Sequence, residues 1–284
     1  MAKELERYQQ IERSIITTYR KQLWSPFVLA VKKYRLVEAG DKIAVCISGG
    51  KDSMILAKLM QELHRHSEVP FELVFLVMDP GYNGENRRRI EENAALLHIP
   101  VTVFESDIFA AADAAAGDSP CYLCARMRRG HLYAKAQELG CNKIALGHHK
   151  SDVIETTLMG MLYGGQIQGM LPRIKSTNFD GMELIRPLYC VLEKDIIKWK
   201  EHNGLDFIAC ACRFTENTEK EEQTLFSARK RVKELIAELK RENENVENNI
   251  FQSIHNVQLD TLVEYKKEGK KTSFLEKFSK DQAD

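Results

Sequence analysis

Five short, nearly continuous apolar runs separated by longer helical stretches decide the fold class of this chain. They occupy 42–47, 72–78, 100–104, 143–146 and 183–187. A run such as Lys-Ile-Ala-Val-Cys-Ile shows no polar alternation, so neither face is suited to water; that is the pattern of a parallel strand covered on both sides. Between the runs, 51–65, 84–97, 124–139, 151–162 and 192–202 read as helices. Strand–helix alternation of this kind predicts an α/β fold, an open parallel sheet with helices on both faces. Residues 1–40 read as an N-terminal helical segment, 41–217 as the α/β domain and 218–284 as a C-terminal helical extension. Within the extension, 224–240 is amphipathic, a second helix is expected over 246–265, and 266–284 reads as a lysine-rich polar tail.

Composition excludes several classes. No apolar run approaches the ~20 residues of a spanning helix, and residues 1–21 lack the apolar centre of a signal peptide. A cytoplasmic protein with no membrane association is expected. Lys plus Arg and Asp plus Glu each number 41, so the formal net charge is zero. A nucleic-acid partner would therefore be held by local basic patches and not by overall charge. The seven cysteines are an odd number in a chain read as cytoplasmic, which argues against a disulfide framework.

The junction after the first strand reads Ser48-Gly49-Gly50-Lys51-Asp52-Ser53. In an open α/β sheet this edge is where phosphates bind. Glycines let the backbone approach an anion closely, and the N-terminus of the following helix turns its N–H groups toward it. The string is neither a Walker loop nor a dinucleotide fingerprint. It resembles the PP-loop of ATP pyrophosphatases, which cleave ATP between the α and β phosphates. The resemblance implies that Gly49, Gly50 and Ser53 cradle pyrophosphate, with Ser48 and Lys51 beside them. Asp52 would then place magnesium or orient the loop. Asp79, after the second strand, is either a nucleoside contact or a turn aspartate before Pro80-Gly81.

Cys121 and Cys124 open a helix, and Cys210-Ala-Cys212 follows an apolar run far downstream. Two close thiol pairs suggest a soft-metal site, either an iron–sulfur cluster or zinc, with a redox CxxC pair as the third reading. Cys46, Cys141 and Cys190 stand alone in apolar or turn surroundings and read as packing residues.

An ordered series of segments then resembles one family. It runs through Ser48–Ser53, Cys121-Tyr-Leu-Cys124-Ala-Arg-Met-Arg-Arg-Gly130, Lys143-Ile-Ala-Leu-Gly-His-His149 with Asp152, Tyr163-Gly-Gly165, Ile185-Arg-Pro-Leu188 and Cys210/Cys212. Together they are similar to the tRNA 2-thiocytidine synthetases, within the PP-loop, adenine nucleotide alpha hydrolase-like fold. The resemblance implies ATP-dependent thiolation of an anticodon-loop cytidine in tRNA. It implies ATP, Mg2+ and a 4Fe–4S cluster on Cys121, Cys124 and Cys212, a sulfur donor (sulfide or a cysteine desulfurase), and a homodimer. Gly147 and His148 would face the nucleotide; Asp52, Asp152 and Arg128 would serve the chemistry, Arg128 at the activated base. Two departures stand out. One residue separates the downstream cysteines where the family commonly has two, which keeps Cys210 as a rival ligand. Ser151 stands where the family often has Asp. Two rivals remain: a PP-loop ligase of the lysidine synthetase type, which needs no paired cysteines, and a non-catalytic RNA-binding protein with structural zinc.

Overall fold

The computed structural model describes residues 5–106, 120–208 and 222–278, without the side chains of 120–126, 222–227 and 277–278. Six strands form one sheet: β1 (Lys42–Ile47), β2 (Glu72–Asp79), β3 (Val101–Glu105), β4 (Lys143–Ala145), β5 (Arg173–Lys175) and β6 (Glu183–Ile185). Their order is β3-β2-β1-β4-β6-β5, parallel throughout except for β5, which runs antiparallel to β6 at the edge. The strand order reverses between β2 and β4 on either side of β1, which opens a crevice at its carboxyl end.

The helices in chain order are α1 (Arg7–Ile16), α2 (Ser25–Lys33), α3 (Lys51–His66), α4 (Gly84–Leu96), α5 (Pro120–Glu138), α6 (Lys150–Gly164), α7 (Glu193–His202), α8 (Glu222–Glu242), α9 (Val246–Ser253) and α10 (Leu275–Phe278). Both sheet faces are covered, as the apolar runs require. On one face α5 packs Tyr133 and Ala136 into a cluster with Ala44, Leu76, Ile144 and Leu184. On the other, Met54, Ile55 and Leu59 of α3 join Ile43, Val45 and Ile47, all of them 3% exposed or less. Burying each such side chain contributes about 1.5–3 kcal/mol, which fixes α3, and hence the loop that feeds it, against the sheet. No helix among the described residues is long and apolar enough to cross a membrane.

Three expectations are corrected. The N-terminal segment is not one helix: α1 ends at Ile16, a π-turn spans Arg20–Trp24, and α2 restarts with Pro26 in its first turn. Proline lacks the N–H that a continuous helix would need there. The second helix of the extension stops at Ser253, well short of residue 265. The His255 ring Nδ1 lies 2.8 Å from the carbonyl of Phe251, where it satisfies a terminal acceptor. The tail, expected as unstructured, instead holds an antiparallel hairpin, β7 (Glu264–Lys267) and β8 (Lys270–Ser273), followed by α10.

Candidate active site

The loop between β1 and α3 carries its geometry in one glycine. Gly49 has φ of +85°, and a Cβ there would lie 2.5 Å from Ile90 Cγ1 and 2.6 Å from Ile208 Cδ1. No L side chain fits that conformation or that space. Gly50, extended at φ −80°, then caps α3. Ser53 is turned inward: its hydroxyl donates to the Gly50 carbonyl at 2.9 Å and accepts from the Ser48 N–H at 3.2 Å. It braces the loop from beneath. Gly147, after β4, closes the other side; a Cβ there would come within 3.1 Å of the Asp52–Ser53 backbone.

A cavity of about 420 Å³ opens at this carboxyl edge. Ser48, Asp52, Ser53, Gly147, His148, Asp152 and Arg128 line it, together with Arg129 and Arg229. The fold thus gathers residues from four separate segments of sequence. Gly49, Gly50, Lys51 and Asp79 do not line it. Lys51 hydrogen-bonds Asp52 at 3.0 Å and Glu193 at 2.9 Å. The Asp79 carboxylate is taken up by its own turn, accepting from Gly81 and Tyr82 N–H groups at 2.9 and 2.7 Å and pairing with Arg87 at 2.9 Å.

Electrostatics divides the cavity. On the α3–α6–α7–α8 side the charges are chained. Lys51 and Lys233 both hydrogen-bond Glu193. Burial alone would push Glu193 up, but the two ammoniums more than offset it and hold its pKa at about 2. Glu155 is the opposite case. It is buried at 3% exposure, and Lys233 and Arg229 approach only to 3.5 Å, so burial prevails and raises it to about 7. Asp152 accepts from the backbone N–H of His149 at 3.0 Å, while His149 Nδ1 accepts from that of Asp152, a reciprocal cap at the start of α6. Asp52 Oδ1 is buried with no hydrogen-bond partner among the described residues, 3.7 Å from His149 Nε2. That orphaned carboxylate oxygen beside the loop fits a cation.

The α5–β6 side differs. Arg128 and Arg129 pair with no carboxylate among the described residues. Burial pushes His148 down to about 4, with Arg186 adding to the effect, so the imidazole is neutral at physiological pH. Cys46 also lines the cavity, but burial pushes its thiol up to about 12, which leaves it inert and agrees with a packing role.

The comparisons with known proteins agree with this arrangement. Residues 11–222 match the PP-loop domain family. The tRNA-cytidine(32) 2-sulfurtransferase of Geobacter metallireducens is 36% identical over 233 residues, 81% of this chain and 87% of that protein. The protein of the same name from Vibrio cholerae is 39% identical over 183 residues, 64% of this chain and 59% of its own length. The chain belongs to the tRNA-cytidine 2-sulfurtransferase family. Among solved structures, the U34-tRNA thiolase NcsA of Methanococcus maripaludis, determined with its 4Fe–4S cluster, superposes with a TM-score of 0.64 at 19% identity, covering 82% of this chain and 79% of that one. At that identity it supports the fold.

Within the family frame, Cys121 and Cys124 are the second and fifth residues of α5, the helix that also brings Arg128 and Arg129 to the cavity. Cys210 and Cys212 lie outside the described residues. Ser151, a departure from the family pattern, accepts from the Glu193 N–H at 3.2 Å and so caps α7. Glu193, Glu155 and Arg186 were not singled out from sequence as site residues. Glu193 and Glu155 are ordinary helix carboxylates in the chain, and Arg186 is one residue inside a longer motif. Only the packing of α7 against α3, of α8 against α6, and of β6 beside β4 reveals them.

Proposed function

We propose that this protein is an ATP-dependent tRNA thiolase that converts a cytidine, most simply in the anticodon loop, to 2-thiocytidine. One observation carries the reading. A single cavity is lined by the PP-loop on one side and, on the other, by the helix that carries Cys121 and Cys124 near its start. Nucleotide activation and sulfur delivery thereby share one site.

In this reading the PP-loop backbone and the N-terminus of α3 hold the β and γ phosphates. Asp52, with its orphaned oxygen, would help hold a Mg2+ ion, which would supply positive charge beside the phosphates. The base oxygen O2 attacks the α-phosphorus, the α–β bond breaks, and pyrophosphate leaves. A sulfur nucleophile then adds at C2 and AMP departs with the former base oxygen, its thiol proton passing to solvent. Arg128 faces the activated base, where its positive charge stabilises the developing negative charge on the departing phosphate. Asp152, capped against His149, orients that end of the cavity. Cys121, Cys124 and Cys212 would hold a 4Fe–4S cluster, which when bound supplies an iron able to carry sulfide. Sulfide itself or a cysteine desulfurase is the donor, and a homodimer is the assembly expected.

Nucleoside mass spectrometry tests this. Unmodified tRNA incubated anoxically with reconstituted protein, ATP, Mg2+ and sulfide should yield 2-thiocytidine. The product should vanish without ATP and in Cys121→Ala protein. ATP turnover by a cluster-loaded protein with no thionucleoside would refute cytidine thiolation.

A further inference from the structure

Arg186 presents a physical anomaly. It is 6% exposed, yet no carboxylate among the described residues forms an ion pair with it. One guanidinium nitrogen donates to the carbonyl of Leu171, and Nε has no hydrogen-bond partner among the described residues. A buried charge left this way is strongly unfavourable unless something answers it. Its position says where the answer would come from. β4 and β6 pair in register, Ala145 beside Ile185, and the Leu146 N–H donates to the Ile185 carbonyl at 3.0 Å. Arg186 therefore sits beside Leu146-Gly147-His148, three residues that line the cavity.

The neighbours share its condition. Nδ1 of His148 is buried without a hydrogen-bond partner among the described residues. Arg129 lines the cavity with no carboxylate paired to it among the described residues. The guanidiniums of Arg129 and Arg186 each act on His148, and Arg129 acts on Arg186. Asp152 draws both His148 and Arg186, but its Oδ2 is committed to the backbone N–H of His149 at 3.0 Å. Positive charge is concentrated here with no paired counter-ion among the described residues.

We infer that Arg129, His148 and Arg186 form a second anion subsite, at the β4–β6 end of the cavity, that takes one phosphate group apart from the PP-loop. Arg129 and His148 touch the phosphate. Arg186, buried beside the strand end and not on the cavity wall, is a positioning residue that supplies charge behind them. A guanidinium suits phosphate because its N–H groups match the spacing of two phosphate oxygens. The neutral imidazole adds one donor without repelling the cations. The phosphate comes either from the RNA backbone next to the target nucleotide or from the α-position of the bound nucleotide. The inference rests on the proposed reading that ATP and RNA meet in this cavity.

The test uses the full chain as Arg186→Met and, separately, Arg129→Met. Binding of the imido analogue of ATP with Mg2+ and of an unmodified tRNA transcript is measured by calorimetry, and unliganded melting temperatures are recorded. Arg186→Met should melt at or above the wild-type temperature, because an unanswered buried charge is gone. Arg129→Met should weaken one ligand about 10-fold or more, the loss of a charge-assisted hydrogen bond, and Arg186→Met should weaken that same ligand through loss of the charge behind it. Weakening confined to the tRNA arm assigns the subsite to the RNA backbone; weakening confined to the nucleotide arm assigns it to the α-phosphate. Unchanged affinities for both ligands, with Arg186→Met melting lower, would overturn the subsite and leave Arg186 as a strut for Leu171. Failure of the wild-type protein to bind either ligand would refute the proposed function instead.

Discussion

The two sides of the cavity handle charge in opposite ways. Along α3, α6, α7 and α8 the charges form a chain: Lys51 meets Asp52 and Glu193, Lys233 meets Glu193 and Glu155, and Arg229 lies between Asp152 and Glu155. Across the cavity Arg128, Arg129 and Arg186 meet no carboxylate among the described residues. On the first side Lys51, Lys233 and Arg229 all have carboxylate partners, so most of its charges stabilise the fold and hold the loop helix in place, with Asp52 Oδ1 and Glu155 the exceptions. The second is unfinished, and its charge costs stability until an anion arrives. Sites that bind and transform a ligand are often less stable for this reason. The contrast predicts that mutations on the first side act mainly on stability, and on the second mainly on binding.

The largest effect should come from the loop that both sides flank. Gly49→Val forces a branched side chain into φ +85° and into Ile90 and Ile208. It should cost about 2–5 kcal/mol by strain and overpacking together, measured by denaturant unfolding, and should abolish nucleotide binding. Glu193→Gln comes next. The Glu193 carboxyl is held at about 2, below its ordinary value of 4.5, so its stabilising contribution is present above about pH 4.5 and is lost as pH falls toward 2. The variant should lose about 1–3 kcal/mol at pH 7 and converge on wild type in acid. Equal stabilities at pH 7 would break the view that this side is a structural chain.

Glu155→Gln sharpens the comparison by reversing the sign. The pKa of Glu155 is raised to about 7, so the folded state pays for its ionisation as pH climbs from about 4.5 through 7. The variant should match wild type near pH 4.5 and exceed it by about 1–2 kcal/mol at pH 8, read from melting curves at both pH values. A variant less stable than wild type at pH 8 would show that the contacts of Glu155 with Arg229 and Lys233 outweigh its burial. The smallest effect on stability belongs to the other side. Arg128→Ala should leave the melting temperature within a degree or two and lower the single-turnover rate of thiolation about 100-fold, measured on the cluster-loaded protein. An unchanged rate would remove Arg128 from the activated base.

What could be read from sequence follows the same division between local and assembled features. The five parallel strands were legible because each is an apolar run that only a doubly covered sheet can absorb. The loop was legible because Gly49 and Gly50 follow the first of them directly. β5 was not, since Arg173-Ile-Lys175 is an edge strand with charged ends and too short for a pattern. The hairpin at 264–273 was not either. Lys266 faces Lys271 and Lys267 faces Lys270, so its sequence shows no apolar face by which a strand is recognised. Asp52, Asp152 and His148 are legible because motif and strand end coincide, and Arg128 because it follows the Cys121/Cys124 motif; the structure places all four on the cavity wall. Glu193, Glu155 and Arg186 were missed because their significance lies in which partners the tertiary fold brings or withholds. Asp79 illustrates the limit from the other side: its place after β2 admits a ligand contact or a turn, and the structure shows its carboxylate engaged in the turn.

The central claim is that the base is adenylated at O2 before sulfur enters. Transcribed tRNA carrying 18O at O2 of cytidine, thiolated with unlabelled ATP, tests it directly. Adenylation predicts that the heavy oxygen is recovered in AMP, in a ratio of one to each thiocytidine formed. Unlabelled AMP, with the heavy oxygen in water or in pyrophosphate, would contradict it.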